Sequence, residues 1–226
     1  MLATKNNSAK KRIVIVDDHP MMRQGLVALI QNEKDLEVVA EAENASQAFE
    51  AVQKFKPDLL LADITLPDKS GLELIKDIQA AGGATPSILV ISMHDEALYV
   101  ERVLRAGGRG YIMKQEGGKK LMVAIRQVLN GQIYVSEKMS SKILEIFSGR
   151  RPEASSSPVE KLTDREFEVF QLIGKGLTTL QMANELHVST KTVEVHRANI
   201  KAKLSMKTAP ELLRYAVRWA ESQSTS

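Results

Sequence analysis

The sequence predicts an α/β fold, a doubly wound five-stranded parallel sheet, joined to a small all-α domain. Two patterns carry this expectation. Up to about residue 130, short apolar runs alternate with amphipathic stretches at helical spacing, five of each. From Leu162 onward strand-like alternation disappears and only helical pieces remain. A length of 226 residues also suits two domains of ordinary size better than one.

In chain order, RIVIV reads as a buried strand and His19–Gln31 as a helix, with Pro20 in a first turn that tolerates its missing N–H. LEVVAEA is strand-like and Ser46–Phe55 helical. DLLLA is the third strand and Ser70–Ala80 the third helix, stopped by Gly82 and Gly83. SILVI and Glu96–Ala106 follow, with Gly107 and Gly108 as the stop. RGYIM is the fifth strand and Gly118–Asn130 the fifth helix. These elements make a first domain over 12–130, preceded by a flexible tail at 1–11. Residues 131–158 read as a linker: GQIYV, a short amphipathic helix with Met139, Ile143 and Phe147 on one stripe, then polar SGRRPEASSSP. The second domain, 159–220, has helices expected over Asp164–Gly174, Thr179–His187, Thr190–Leu204 and Pro210–Ala220. Residues 221–226, ESQSTS, are expected to fray.

Composition narrows the chemistry. Hydrophobic content of 43% supplies ordinary cores and argues against disorder. No apolar stretch approaches the roughly 20 residues that span a bilayer, and MLATKNNSAKKR lacks the apolar centre of a signal peptide, so no membrane partner is expected. The absence of cysteine excludes disulfides, thiolate catalysis and cysteine-ligated zinc, and is compatible with a reducing compartment. The four histidines show no metal-ligand spacing. A formal charge of +3 is too small to indicate nucleic acid by itself.

Chemistry-bearing residues stand just past the carboxyl ends of four strands: Asp17 and Asp18, Asp63, Ser92 and Lys114. In a parallel α/β sheet such positions converge on one crevice. Each residue alone has an ordinary explanation, a helix cap for the aspartates or a solvated loop for Lys114. Together they suit the transfer of a phosphoryl group to a carboxylate. Both reactants are anionic, so a hard divalent cation such as Mg²⁺, held by carboxylates, and donors for the phosphoryl oxygens are required. Asp63, past the central strand, is the natural nucleophile, with Asp17 and Asp18 beside it. Lys114 supplies a point charge and Ser92 a hydroxyl.

The stretches IVIVDDHPMMRQGL, LLLADITLPDKSGLEL, ILVISMHDE and GYIMKQE resemble the flavodoxin-like receiver domain of two-component response regulators, over roughly residues 12–130. The resemblance implies that a partner histidine kinase phosphorylates Asp63. It implies Mg²⁺ bound directly by Asp18, through water by Asp17, and by Asp63 and the Thr65 carbonyl. It makes Ser92 and Tyr111 a switch pair, and puts Thr65 and His94 where dephosphorylation is tuned. Ala62 and Asp68 depart mildly from the common pattern without removing a required group.

In the second domain, Ser189 is a candidate N-cap for the following helix. At about 100° per residue, Val193, His196, Ile200 and Leu204 share an inward face. Lys191, Glu194, Val195, Ala198 and Ala202 lie opposite, with Lys201 and Lys203 on the flanks. Small residues at the centre and cations at the edges suit a major groove, although the helix by itself reads as readily as an ordinary amphipathic one with a solvated charged face. The run LTDREFEVFQLIGKGLTTLQMANELHVSTKTVEVHRANIKAKL resembles the LuxR-type helix-turn-helix, the output domain of NarL/FixJ-type regulators. By that resemblance Thr190–Leu204 is the recognition helix, with Thr190, Lys191, Thr192, Glu194, Val195, Ala198, Lys201 and Lys203 on the DNA side. Leu180 stands where the family often has a lysine that touches the DNA backbone, a departure that bears on one phosphate contact. The same resemblance implies that the last helix, through the apolar surface of Leu212, Leu213, Ala216 and Val217, pairs two DNA-binding domains, while core packing is the ordinary alternative for the same residues.

The joint expectation is a cytoplasmic, phosphorylation-controlled transcriptional regulator whose partners are a sensor histidine kinase and double-stranded promoter DNA, with RNA polymerase as a further partner. Phosphorylation is expected to favour a homodimer. Two readings compete. One is a DNA-binding regulator independent of phosphorylation, which would be marked by loss of an acidic position or of Lys114. The other is an aspartate-nucleophile phosphatase, which wants a second acid where Thr65 stands.

Overall fold

A computed structural model describes residues 9–140 and 158–224, and of these the side chains of Glu160, Gln223 and Ser224 are not described. The chain divides into two compact units, Met1–Phe147 and Ser148–Ser226.

The first unit alternates strand and helix: β1 (Lys11–Val16), α1 (Pro20–Gln31), β2 (Leu36–Ala42), α2 (Ala45–Phe55), β3 (Leu59–Ala62), α3 (Gly71–Ala80), β4 (Ser87–Ser92), α4 (Glu96–Ala106), β5 (Gly110–Met113) and α5 (Gly117–Leu129). The strands form one parallel sheet in the order β2-β1-β3-β4-β5. Covered on both faces by helices, the central strands are apolar throughout, and Ile13 to Val16 and Leu59 to Ala62 are fully buried. The strand order reverses between β1 and β3, and their pairing of Val16 with Ala62 sets Asp17 beside Asp63 at that switch point.

Helix starts follow local chemistry. Ser70 and Glu73 form a capping box on α3, and Asp95 accepts from the Ala97 N–H to start α4. Gly107, at φ 106°, ends α4 in the left-handed region that favours glycine. Asp68, an unusual acid in its loop, accepts from the Ala45 and Ser46 N–H groups at 2.8 and 2.9 Å. It thereby ties the β3–α3 loop to the N-terminus of α2. Gly71 is required by a close approach, because a Cβ there would overlap the carbonyl of Asp63.

The segment expected to begin a linker is instead part of this unit as far as it is described. Tyr134 pairs with the outer edge of β5: its N–H donates to the Arg109 carbonyl at 3.0 Å, and its carbonyl accepts from the Tyr111 N–H at 2.9 Å. The Ser136 N–H then donates to Glu96 at 2.7 Å, and Met139 is buried. Ile143, Phe147 and most of SGRRPEASSSP lie outside the described residues.

The second unit carries α6 (Asp164–Gly174), α7 (Thr179–Glu185), α8 (Thr190–Lys203) and α9 (Ala209–Ser224). Capping boxes begin α6 at Thr163 and α7 at Thr178, and Ser189 caps α8 by accepting from the Thr192 N–H at 3.0 Å. The turn from α7 to α8 passes through His187 at φ 52°. Arg165 braces it, donating to the Leu186 carbonyl at 2.7 Å while pairing with Glu168. Phe167 and Phe170 pack against Trp219, with ring centroids 5.6 and 5.4 Å apart. The expectation that ESQSTS frays is corrected as far as Ser224. No residue there breaks a helix, and Ser222 Oγ bonds back to the Trp219 carbonyl.

Candidate functional site

The four strand ends converge. Lys114 Nζ lies 2.6 Å from Asp63 Oδ2 and 2.7 Å from Asp17 Oδ2, bridging β1 and β3 from the end of β5. Asp17 and Asp63 are buried, as is Ser92. Asp18 faces the crevice more openly, 2.7 Å from His19 Nδ1.

Burial dominates the electrostatics of Asp63. It outweighs the attraction of Lys114, the nearby Asp17 adds repulsion, and the carboxyl is pushed up to about 6. Lys114 moves the same way for a different reason. Its burial works against the ammonium, but Asp63 and Asp17 overcome this and hold it charged. Three carboxylates therefore face one ammonium, an excess of two negative charges.

One ligand atom each from Asp17, Asp18, His19 and Asp63 lies within 4.8 Å of the others. Hard oxygen donors and an uncompensated double charge fit a divalent cation of the Mg²⁺ type. Receiver domains, which this unit resembles, typically bind Mg²⁺ in such an acidic pocket.

Around the mouth, Thr65 Oγ1 and His94 Nε2 are 3.0 Å apart, which joins the two residues expected to tune dephosphorylation. The His94 N–H donates to Ser92 Oγ, and the Tyr111 hydroxyl donates to the His94 carbonyl at 2.7 Å. The Tyr111 ring is inward and buried, and its phenol is raised far above the ordinary range by burial, opposed by a hydrogen bond with Ser92. Every receiver residue singled out from sequence thus lies in one connected cluster. Sequence reasoning missed Arg23, whose buried guanidinium donates to the Asp17 carbonyl. An arginine on an otherwise apolar helix face was the available signal.

On α8, Val193 and Ile200 are fully buried, with His196 and Leu204 half-buried, as the helical spacing predicts. Thr190, Lys191, Glu194, Val195, Ala198 and Lys203 are exposed, while Thr192 and Lys201 are half-buried. Lys203 Nζ lies 2.6 Å from Glu166 Oε2, a pairing it would have to leave to meet another anion. Arg197, unnoticed in the sequence, donates to Thr179 Oγ1 and ties α8 to the start of α7. Leu180 is 62% exposed, so it presents an apolar side chain at the surface of α7.

The expected pairing stripe on α9 needs correction. Leu212 and Ala216 are fully buried inside their own unit, because this face packs on α6, where Gly174 lets the Ala216 carbonyl come close. Leu213, at 43% exposure, and half-buried Val217 are what remain for a partner.

Comparison with known proteins agrees with both halves. Residues 13–126 match the response regulator receiver domain, and residues 160–216 match the bacterial regulatory proteins of the luxR family. The chain is 38% identical over 211 residues to the oxygen regulatory protein NreC of Staphylococcus aureus (strain MRSA252), covering 92% of this chain and 97% of NreC. It is similar to RcsB of Salmonella enterica serovar Typhimurium bound to promoter rprA in the presence of phosphomimetic BeF3⁻, at 25% identity and TM-score 0.59, with 92% and 98% of the two chains covered. A LuxR-family two-component response regulator from Aurantimonas sp. SI85-9A1 aligns at 33% identity and TM-score 0.56, over 62% of this chain and 99% of that one. The chain belongs to the two-component response regulators, a phosphorylation-controlled transcription regulator that joins a receiver domain to a LuxR-type DNA-binding domain.

Proposed function

We propose that Asp63 is the phosphoryl acceptor and that a sensor histidine kinase is the donor. The observation that carries this reading is the Lys114 bridge between Asp63 and Asp17 at the switch point of the sheet. With its carboxyl near 6, Asp63 is ionised at neutral pH and able to attack phosphorus. A bond forms between an Asp63 oxygen and phosphorus as the P–N bond of the kinase phosphohistidine breaks, and the departing imidazole takes up a proton. Lys114 then meets a phosphoryl oxygen, and the Ser92 hydroxyl donates to another.

Asp17, Asp18 and Asp63, with the Thr65 carbonyl, would hold Mg²⁺, which supplies charge neutralisation between the two anionic reactants. Thr65 and His94 together set how readily water reaches the acyl phosphate. The chain acts as a cytoplasmic signalling protein; its own chemistry is limited to taking up and slowly losing this group.

The output is promoter DNA. Glu194 and Val195 stand exposed near the N-terminus of α8, where a carboxylate can accept from cytosine N4 and an apolar side chain can meet a thymine methyl. Thr190, Lys191, Thr192 and Ala198 complete that face, and Lys201 and Lys203 flank it for phosphates. A single module of this size makes few contacts, so two on adjacent half-sites give useful affinity. Phosphorylation shifts the population toward that homodimer, through Leu213 and Val217 on α9, with RNA polymerase engaged at the promoter.

The test is incubation of the full chain with a small phosphodonor and Mg²⁺, followed by intact mass and promoter binding. Wild type should gain one phosphoryl group and bind more tightly, and Asp63→Asn should do neither. Equal binding by both after donor treatment would refute phosphorylation control.

A further inference from the structure

We infer that Arg23 is a positioning residue for phosphoryl transfer, acting through the peptide that joins Asp17 to Asp18. This rests on the proposed role of those aspartates as holders of Mg²⁺.

Arg23 lies on α1 and is only 8% exposed. A guanidinium cannot shed its charge, so burying it costs heavily unless its donors are all engaged. Here each of its three nitrogens has a partner, at two places in the fold. Nη1 donates to the Asp17 carbonyl at 2.7 Å, Nη2 donates to Glu43 Oε1 at 2.7 Å, and Nε lies 3.4 Å from Glu41 Oε2. The two glutamates, at the end of β2 and just beyond it, balance the charge from the side away from the crevice. Arg23 thus adds little net charge to the pocket. What it supplies is a fixed direction.

Asp17 shows what that direction is for. Its N–H donates to the Ala42 carbonyl at 3.2 Å. Its Oδ1 accepts from the His19 N–H at 2.9 Å, and its Oδ2 meets Lys114 at 2.7 Å. With the Arg23 bond to its carbonyl, the N–H, the carbonyl and Oδ1 of Asp17 are hydrogen-bonded, and Oδ2 is ion-paired with Lys114. The carbonyl sets the plane of the peptide between Asp17 and Asp18, and that plane fixes how the two adjacent carboxylates leave the backbone. A planar fork presents separate nitrogens to the turn and to the β2 end, whereas a lysine would have to reach both from a single nitrogen. The partners that orient metal ligands typically change metal affinity about 10- to 100-fold when lost.

A merely structural role would lower stability and leave the metal site alone, so the test separates the two. Mg²⁺ binding to the full-length unphosphorylated chain is measured by isothermal titration for wild type, Arg23→Met, Arg23→Lys and Ile30→Val. The last removes one methylene from the same helix in the buried core, away from the crevice. The Mg²⁺ dependence of donor labelling is measured in parallel.

Arg23→Met should weaken Mg²⁺ binding about tenfold or more, with Arg23→Lys intermediate. The labelling rate at saturating Mg²⁺ should stay within about twofold of wild type, and Ile30→Val should lose stability with its Mg²⁺ affinity unchanged. If Arg23→Met does not fold, Arg23→Lys carries the comparison. Mg²⁺ affinity in the Arg23 variants equal to wild type, or altered no more than in Ile30→Val, overturns the inference while leaving the role of Asp63 intact. A wild-type chain that takes no label at any Mg²⁺ concentration overturns the reading of Asp63 instead.

Discussion

Replacing Asp63 by asparagine should stabilise the receiver unit at alkaline pH, and the size of the gain follows from the burial of one charge. The carboxyl rises from an ordinary 3.8 to about 6 on folding. Below 3.8 the group is protonated in both states and burial carries no penalty. Between 3.8 and 6 the unfolded chain has released a proton that the folded chain keeps, so stability falls as pH rises. Above about 6 the full cost is present, about 3 kcal/mol at about 1.4 kcal/mol per pH unit. Asparagine cannot ionise, and Lys114 retains Asp17 as its partner in the variant. The gain of Asp63→Asn over wild type should therefore be near zero at pH 4 and approach 3 kcal/mol at pH 8, as an upper bound. Urea unfolding followed by far-ultraviolet circular dichroism reports both units. The single tryptophan, Trp219, belongs to the second unit, so its fluorescence reports that unit alone and isolates the receiver transition by difference. Saturating Mg²⁺ should narrow the gap by stabilising the carboxylate. Parallel pH dependences for the two proteins would refute the reasoning.

Three further outcomes can be checked. Gly71→Ala should cost about 1–3 kcal/mol and slow phosphorylation, because the new methyl group overlaps the Asp63 carbonyl and pushes the loop that carries the acceptor; thermal melts and donor labelling measure both. Lys201→Ala should weaken DNA binding across sequences and flatten its salt dependence by about one counterion, whereas Lys203→Ala should change the slope less, since that lysine must first leave Glu166. Glu194→Ala should relax preference at one base pair in a selection of bound DNA, and an unchanged consensus would rule out base contact by this residue.

Much of this was legible in the sequence because each level agreed with the next. Glu96–Ala106 and Leu36–Ala42 end where Asp95, Gly107 and the turn residues say they should. The acidic pocket was legible because a parallel sheet collects its strand ends, so position along the chain implied position in space. What escaped depended on pairings that no local pattern encodes. Tyr134 lies in GQIYV, which opens on a glycine and a polar residue and looks like the start of a linker, yet the open edge of β5 supplies its partners. Arg23 interrupts an apolar face, but its three acceptors come from elements that only the fold brings together. The stripe on α9 was periodic and real; periodicity alone did not say whether α6 or a second molecule would cover it.

The pairing of Tyr134 with β5 bears on where the chain can be divided. Helical periodicity ends near Asn130, which makes that residue an inviting place to end an isolated receiver. Such a cut would strip the Tyr111 N–H and the Arg109 carbonyl of their partners and leave Glu96 without the Ser136 N–H. The bare edge would lie at Tyr111 itself, inviting a second copy to add a strand there. A fragment of that length would report an altered Tyr111 environment and an association of its own making. One that keeps residues through Ser140 would retain the native edge.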